Sequence, residues 1–256
     1  MVLGRISDAI ALGSIFPDMI INKQVSHAAA HSMGGKLLRA FKGNAQWVDF
    51  ARGVVTHGIS PPGLDYFGDE KYPGCQRGYC FEKGRSLVKQ TIEACNIPPE
   101  MGWWKAHNII EMGIELRIGA CGTYGQILRR AFNNKQLINQ LTHLLADLTG
   151  NKAGFLQSRI ASFPDYIEVF RATAPSLANK FRIQMFARHR ININTGKVAR
   201  LIELAAEKVE DDLAEMFDLA TRHVLQELRH TEPSTVRHAG GTLRTPAPGA
   251  AGETAE

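Results

Sequence analysis

His107 and Glu111 stand four residues apart in an apolar run that has helical spacing. On a helix, residues at this spacing lie on one face, so an imidazole nitrogen and a carboxylate oxygen can reach the same cation. An ordinary hydrogen-bonded pair has the same spacing. The choice between the two interpretations depends on whether further ligand-type residues accompany the pair, and the first half of the chain supplies them.

Histidines and an aspartate precede this pair, each with a structural as well as a chemical interpretation. Asp18 follows Pro17, where it could cap a turn or hold a metal. His27 and His31 are four apart in a segment of small residues, which would let a cation or another backbone approach. As an alternative, both could be exposed on a surface helix. His57 ends a predicted helix and could instead interact with that helix terminus.

Residues 58–78 are rich in Gly and Pro, and they contain two more aspartates, Asp65 and Asp69. We expect a long ordered loop here, and loops of this length are often functional. Turn chemistry explains one such aspartate easily and two less easily. Together with the histidines, these carboxylates are the donors of a hydrolytic metal centre, because nitrogen and oxygen ligands can hold a transition metal and leave a position for water.

The order of these motifs resembles a known family over about residues 10–116. It runs as follows: Gly13-x-x-x-Pro17-Asp18, His27-x-x-x-His31-Ser32, Gly53-x-x-x-His57 with Asp65 after it, and His107-x-x-x-Glu111. This order is similar to that of the all-helical zinc-dependent phospholipase C superfamily, which includes metal-dependent membrane-associated hydrolases and single-strand zinc nucleases. The resemblance implies a phosphoester hydrolase that uses a metal-activated water.

The resemblance also implies roles for individual residues. Asp65-x-x-Gly68-Asp69 keeps only the Gly-Asp half of a family motif that starts with histidine, so we expect one or two divalent ions, with zinc favoured. The expected primary ligands are Asp18, His57, His107 and Glu111. Ligands for a second ion are expected to be Asp65, His31 and His27. The catalytic candidates are Asp18, together with Asp69 or Glu115 as general base or as support behind the ligands.

Composition sets the wider frame. The 256 residues can bury one substantial core, and 30 Lys and Arg against 25 Asp and Glu give a formal charge of +5. This mild excess permits anionic partners without indicating nucleic acid. The apolar stretch at residues 6–21 is interrupted by Pro17 and Asp18 and does not have the pattern of a signal peptide. We therefore expect a cytoplasmic protein with reduced thiols at Cys75, Cys80, Cys95 and Cys121.

The dominant hydrophobic period is helical, and no convincing strand pattern occurs. We predict an all-α, single multi-helix domain over residues 1–230 that resembles the phospholipase C fold. A disordered tail is predicted over residues 231–256, which are rich in Pro, Gly, Thr and Ala. The predicted helices span residues 26–41, 45–57, 82–95, 100–120, 123–132, 134–149, 152–171, 176–190 and 195–230.

Two features support an alternative, non-catalytic function. The apolar stripe along helix 195–230 is typical of core packing or of a homo-oligomer seam. Residues 171–200 contain seven basic and no acidic side chains, which indicates a solvated helix face or a surface that docks anionic lipid or nucleic acid. The alternative is thus a helical binding or oligomerisation module. For the hydrolase, the substrate could be a phospholipid, a nucleotide or a nucleic acid.

Overall fold

The computed structural model of the chain describes residues 3–231, and within that range the secondary structure is helical without a strand. The all-α class predicted from the sequence is therefore confirmed. The α-helices are α1 (Asp8–Gly13), α2 (Phe16–Ile20), α3 (His27–His31), α4 (Gly34–Ala40), α5 (Ala45–His57), α6 (Tyr79–Gly84), α7 (Val88–Cys95), α8 (Gly102–Gly119), α9 (Thr123–Asn133), α10 (Lys135–Thr149), α11 (Ala153–Ser162), α12 (Ala174–His189), α13 (Thr195–Lys208) and α14 (Leu213–Thr231). The predicted tail lies outside the described residues, except for Thr231 at the end of α14.

Side-chain caps begin several helices where the sequence indicated. The Ser26 hydroxyl accepts the amide N–H of Ala29 at the start of α3, and the Asn44 side chain accepts those of Gln46 and Trp47 at the start of α5. These bonds satisfy amide groups that have no partner within the helix. The predicted helices near residues 45–57, 123–132 and 134–149 are confirmed as α5, α9 and α10.

The single helix predicted over residues 26–41 is wrong, because the chain breaks at Ser32 and Met33 between α3 and α4. The carbonyl of His31 explains the break. It accepts the amide N–H of Ile59 at 2.9 Å, from the segment after α5, whereas in a continuous helix it would bond to Gly35. The break is thus caused by a tertiary contact, and it leaves His31 in the last turn of a short helix.

Three further helix predictions differ from the structure. The helix predicted over residues 82–95 begins at Tyr79 and contains a 3-10 turn at Arg85–Leu87. The helix predicted to run to residue 171 ends at Ser162, where Pro164 imposes a short 3-10 turn. The helix predicted over residues 176–190 begins at Ala174, because Thr173 provides a capping box.

The predicted helix 195–230 is also wrong as one element, since it breaks between α13 and α14. At the break, the carboxylate of Asp212 pairs with the ammonium of Lys83 and accepts the hydroxyl of Tyr79. The apolar stripe nevertheless persists on both sides, and its residues Ile202, Val209, Met216 and Val224 are buried within the chain. The stripe therefore packs the core, while the oligomeric state stays a prediction.

Residues 58–78 form a largely non-helical connection, as expected, with one exception. A π-helical turn spans Tyr66–Glu70 and is closed by the amide of Lys71, which donates to the carbonyl of Tyr66 at 2.8 Å. Single π turns occur often at functional sites. This one carries Asp69, and Asp65 stands at its start.

The buried side chains form two hydrophobic clusters. The first joins α1, α2, α4 and α5 to α10, α11 and the end of α14, and the second joins α6, α7 and α8 to α12 and α13. A cavity of about 770 Å³ is lined by side chains from both clusters and from the 58–78 connection. Among residues 3–231, no helix has both the length and the apolar content needed to cross a bilayer.

Candidate metal centre

Four side chains from four different elements converge at the first-cluster side of the cavity. They are Asp18 on α2, His31 on α3, His57 at the end of α5 and Asp65 before the π turn. The Nε2 atom of His31 lies 3.1 Å from Nε2 of His57, 3.6 Å from Asp18 Oδ1 and 3.0 Å from Asp65 Oδ2. The Nε2 atom of His57 lies 3.7 Å from Asp18 Oδ2 and 3.5 Å from Asp65 Oδ2. We call these four residues donor set A.

Backbone carbonyls orient both imidazoles of donor set A. The Nδ1 atom of His31 lies 2.9 Å from the carbonyl of His27, and Nδ1 of His57 lies 2.6 Å from the carbonyl of Ser14. In each ring Nδ1–H can donate only to that carbonyl, so Nε2 faces the set. Metal-bound histidines are held in the same way, with the second ring nitrogen donating to a carbonyl or carboxylate.

Three donor atoms of set A, Nε2 of His31, Nε2 of His57 and Oδ2 of Asp65, have the spacing of ligands around a tetrahedral ion. Zinc bonds of about 2.0–2.1 Å to nitrogen or oxygen place neighbouring ligand atoms of a tetrahedron about 3.3 Å apart. The three separations are 3.1, 3.0 and 3.5 Å, and Asp18 faces the two histidines through different oxygens at 3.6 and 3.7 Å. Two neutral imidazoles whose Nε2 lone pairs face each other at 3.1 Å repel, so a proton or a cation is needed between them.

Protons can supply that charge when no ion is bound. Burial lowers the pKa of His31 and His57, but contacts with Asp65 and Asp18 outweigh it and raise the two pKa values to about 9 and about 10. Burial acts to raise the pKa of Asp65, and the same histidines hold it well below its usual range. The two carboxylates thus stabilise a proton held between the two imidazoles. A divalent ion at the same place would be stabilised by the same carboxylates.

His27 lies at the edge of donor set A. Its ring stacks on His31 with centroids 3.9 Å apart, and its Nε2 is 4.0 Å from Asp65 Oδ2. With half of its side chain exposed, it forms a looser alternative group with His31 and Asp65. The structure therefore places His27 near the predicted second-ion ligands without making it a close member of set A.

A second group, donor set B, consists of Asp69, His107 and Glu111. One ligand atom from each lies within 4.8 Å of the others, and His107 Nε2 is 3.7 Å from Asp69 Oδ2. His107 is almost fully buried, and two buried atoms of the set, Asp69 Oδ1 and His107 Nδ1, have no hydrogen-bond partner among the described residues. Buried polar atoms are rarely left in this state, which fits a set of residues built to hold a cation.

Electrostatics in donor set B also fit a cation. Burial and repulsion from Glu111 raise the pKa of Asp69, and burial raises the pKa of Glu111 against a hydrogen bond from Asn108. Burial and the nearby charge of Lys105 lower the pKa of His107 to about 3, so this imidazole is neutral and can act as a ligand. A divalent ion would stabilise both carboxylates in their charged form.

The grouping differs from the sequence prediction. Asp18 and His57 were expected to share an ion with His107 and Glu111, but they lie with His31. The predicted second-ion ligands His27, His31 and Asp65 do come together, and Asp65 also contacts His57. Asp69, expected to be a general base or a support behind the ligands, lies among the donors of set B. The reason is tertiary: the crossing of α2, α3 and α5 brings together residues that sequence spacing cannot relate.

Two neighbours of donor set B were missed by the sequence analysis. The side-chain amide of Asn108 lies 3.0 Å from His107 Nε2 and donates to Glu111 Oε2 at 2.8 Å. Phe81 stacks on the His107 ring at 4.1 Å, and the Arg77 guanidinium lies 4.3 Å from the centre of the Phe81 ring. Asn108 follows His107 directly and lies three residues before Glu111, which is the only signal that could have indicated it.

Close helix contact positions His57. Gly13 on α1 meets Gly53 on α5, and a Cβ added to Gly53 would lie 2.4 Å from the carbonyl oxygen of Ile10 and 2.7 Å from the amide nitrogen of Ser14. Only a residue without a side chain permits this approach. The contact brings the Ser14 carbonyl to His57, which gives a physical reason for the glycine four residues before that histidine.

Glu115 belongs to neither donor set. It lies one turn beyond Glu111 on α8, between the 770 Å³ cavity and an apolar cavity of about 520 Å³ next to it, and it lines both. Burial and repulsion from Glu168 raise the pKa of Glu115 to about 7. A partly protonated carboxyl at this position could exchange protons at neutral pH, as its predicted role as a base requires.

Replacing Glu115 with glutamine is expected to stabilise the metal-free protein at pH 8 by about 2 kcal/mol and to have little effect at pH 4.5. A carboxyl with a raised pKa is not penalised below its unfolded value, and the penalty grows as the pH rises toward 7. Urea unfolding at the two pH values measures the difference. Glu203→Gln, at an exposed position of α13, is the control. An equal effect of Glu115→Gln at both pH values would contradict this origin.

His143 on α10 lies outside both donor sets, because it is exposed and its Nδ1 atom contacts the carbonyl of Asn139.

No protein-family profile, curated protein or solved structure gives a significant match to the chain.

Proposed function

We propose that the protein is a metal-dependent phosphoester hydrolase of the phospholipase C type, with zinc at donor set A and a second divalent ion at donor set B. The observation that carries the proposal is the pair of Nε2 atoms of His31 and His57, 3.1 Å apart. Each ring is held by a backbone carbonyl, with two aspartates beside them. Nitrogen and carboxylate donors at tetrahedral spacing favour zinc over magnesium or calcium.

The chain's own residues would hold the ions, orient the substrate and deprotonate the attacking water. Ions bound at sets A and B would polarise a phosphoester oxygen and acidify water. Asp18, whose side chain is 42% exposed, faces the cavity and would leave one side of set A open to substrate. Asp69 would hold the second ion rather than act as a base. Glu115 remains the candidate acceptor for the proton of the attacking water.

Fold type and location belong to the same proposal. Ligands drawn from several short helices, with a non-helical connection closing the site, support a phospholipase C-like arrangement of the described helices. We also propose a cytoplasmic location, since all four cysteines are unpaired in the structure.

Metal analysis tests the proposal directly. After reconstitution with zinc and gel filtration, we expect about two zinc ions per chain, because the two donor sets share no residue. His107→Ala should lose one ion and keep the other, since it removes a ligand of set B only. His143→Ala is the matched control and should keep both. A wild-type protein that retains no zinc after reconstitution would overturn the proposal.

The alternative of a docking module also has a structural observation in its favour. Phe170 and Phe186 are among the exposed large apolar side chains, next to Arg171 and close to Arg190 respectively. Such a surface could contact an anionic membrane. Salt-sensitive binding to phosphatidylserine vesicles that His107→Ala leaves unchanged would favour this function, and no binding at low salt would remove it.

A further inference from the structure

The cavity of about 770 Å³ is lined by basic residues that belong to neither donor set A nor donor set B. Lys105 lies on α8, two residues before His107, and lines the cavity although only 4% of its surface is exposed. Its Nζ atom lies 3.6 Å from the centre of the Trp104 ring. Arg188 and His189, at the end of α12, line the cavity as well. The His189 ring lies 5.5 Å from the Trp104 ring, and the charge of Arg188 acts on Lys105.

Among residues 3–231, no carboxylate lies within ion-pair distance of these basic groups, although the charge of Glu111 acts on Lys105 from farther away. Neither Lys105 nor Arg188 forms an ion pair there, and the buried Nε2 atom of His189 has no hydrogen-bond partner. A buried ammonium without an acceptor is costly, and its contact with the Trp104 ring offsets only part of that cost. An anion in this part of the cavity would therefore be stabilised by two cations, and His189 could donate a hydrogen bond to it.

We propose that Lys105 and Arg188 form an anion subsite that binds a second phosphate of the substrate. This inference rests on the proposed function and narrows it, because the substrate would be a small phosphoester that carries another phosphate group. Lys105 would supply the buried charge, and the more exposed Arg188 would close the subsite from the rim. Arg188 suits this role because its guanidinium can bind phosphate through two parallel hydrogen bonds.

The helix sets the separation between the two phosphates. Lys105 and Glu111 are six residues apart on α8, and a rise of 1.5 Å per residue places their Cα atoms about 9 Å apart along the helix axis. A long lysine side chain can shorten that gap. The two phosphates of the substrate should therefore be separated by several atoms.

Calorimetry with non-hydrolysable probes tests the subsite in zinc-loaded full-length protein. The probes are bisphosphonates with one, three or five methylene groups between the phosphorus atoms, and butylphosphonate as the single-anion reference. We expect at least one bisphosphonate to bind about tenfold tighter than butylphosphonate or more. Competition by an α,β-methylene nucleoside diphosphate or by a short-chain phosphatidylinositol phosphate supports the subsite and separates a nucleotide from a lipid source.

Substitutions of Lys105 and Arg188 test whether the subsite causes the preference for a bisphosphonate over butylphosphonate. Lys105→Met replaces the ammonium over the Trp104 ring with an uncharged, unbranched side chain and should abolish the preference, while zinc content and butylphosphonate affinity of the zinc-loaded protein stay unchanged. Arg188→Gln should reduce it, and Arg182→Gln, whose guanidinium bonds to Asn179 on the same helix, should leave it intact. A zinc-loaded wild type without the preference, or a Lys105→Met variant that keeps it, overturns the subsite.

The two proposals can fail separately. Protein that takes up no zinc overturns the proposed hydrolase. Without zinc, butylphosphonate can bind only at the subsite, so in that protein Lys105→Met should weaken its binding several-fold, unlike in the zinc-loaded protein. Equal binding by wild type and variant would then overturn the subsite as well.

Discussion

Replacing His31 with alanine is expected to lower phosphodiesterase activity by about 10³-fold or more, which corresponds to about 4 kcal/mol of transition-state stabilisation. His31 is the central residue of donor set A, since its Nε2 lies close to Asp18, His57 and Asp65. It is 1% exposed, so no neighbouring side chain can replace it without rearrangement. Hydrolysis of bis(p-nitrophenyl) phosphate, measured together with zinc content, gives the comparison.

His27→Ala is the matched variant, because it removes the same side chain from the same helix one turn earlier. Its imidazole is half exposed and 4.0 Å from Asp65, so we expect less than about a tenfold loss of activity and no loss of zinc. His143→Ala should behave as wild type. Equal losses in His27→Ala and His31→Ala would show that set A is not the ion site, and full activity in His31→Ala would exclude it from catalysis.

Gly53→Ala is expected to destabilise the protein by about 3 kcal/mol and to reduce zinc binding at donor set A. The added methyl would lie 2.4 Å from the Ile10 carbonyl oxygen, a backbone atom that can retreat only if α1 and α5 separate. That separation would also pull the Ser14 carbonyl away from His57. Urea unfolding followed by circular dichroism in chelator gives the stability, and zinc titration gives the second effect.

Gly35→Ala provides the control within another helix. A Cβ there would meet only the ends of Arg39 and Pro61, at 3.6 and 3.9 Å, so the change should stabilise the protein by about 0.5–1 kcal/mol through helix propensity. If Gly53→Ala proves as stable as Gly35→Ala, the α1 and α5 contact does not position the site.

Local geometry is what the sequence could predict. His107 and Glu111 share a donor set because the helical period alone places them together. All seven predicted ligands fall within the donor groups, although metal binding itself stays a prediction. The same period gave the bounds of α5 and α10 closely, since Asn44 and Asn134 cap helices that pack without interruption.

Long-range contacts determine the features that the sequence did not predict. The bond from Ile59 to the His31 carbonyl divides one predicted helix, and the contacts of Asp212 accompany the break in another. The proposed anion subsite could not be predicted for the same reason. The sequence places Arg188 in a basic segment that is either a solvated helix face or a docking surface for anions, and only the packing of α12 against α8 and α13 places it in the same cavity as Lys105.

The π turn at Tyr66–Glu70 fixes how long the connection between the two donor sets can be. Asp65 serves set A and Asp69 serves set B, so one inserted or deleted residue would rotate Asp69 to another face of the turn, away from His107. The neighbouring backbone cannot shift to compensate, because it is closely packed: a Cβ on Gly78 would lie 2.3 Å from the Asp69 amide nitrogen. Surface connections usually accept changes of length. Here we expect insertions to be tolerated around Gly150, where an added Cβ meets no atom within 4 Å, and to be rejected between Asp65 and Asp69.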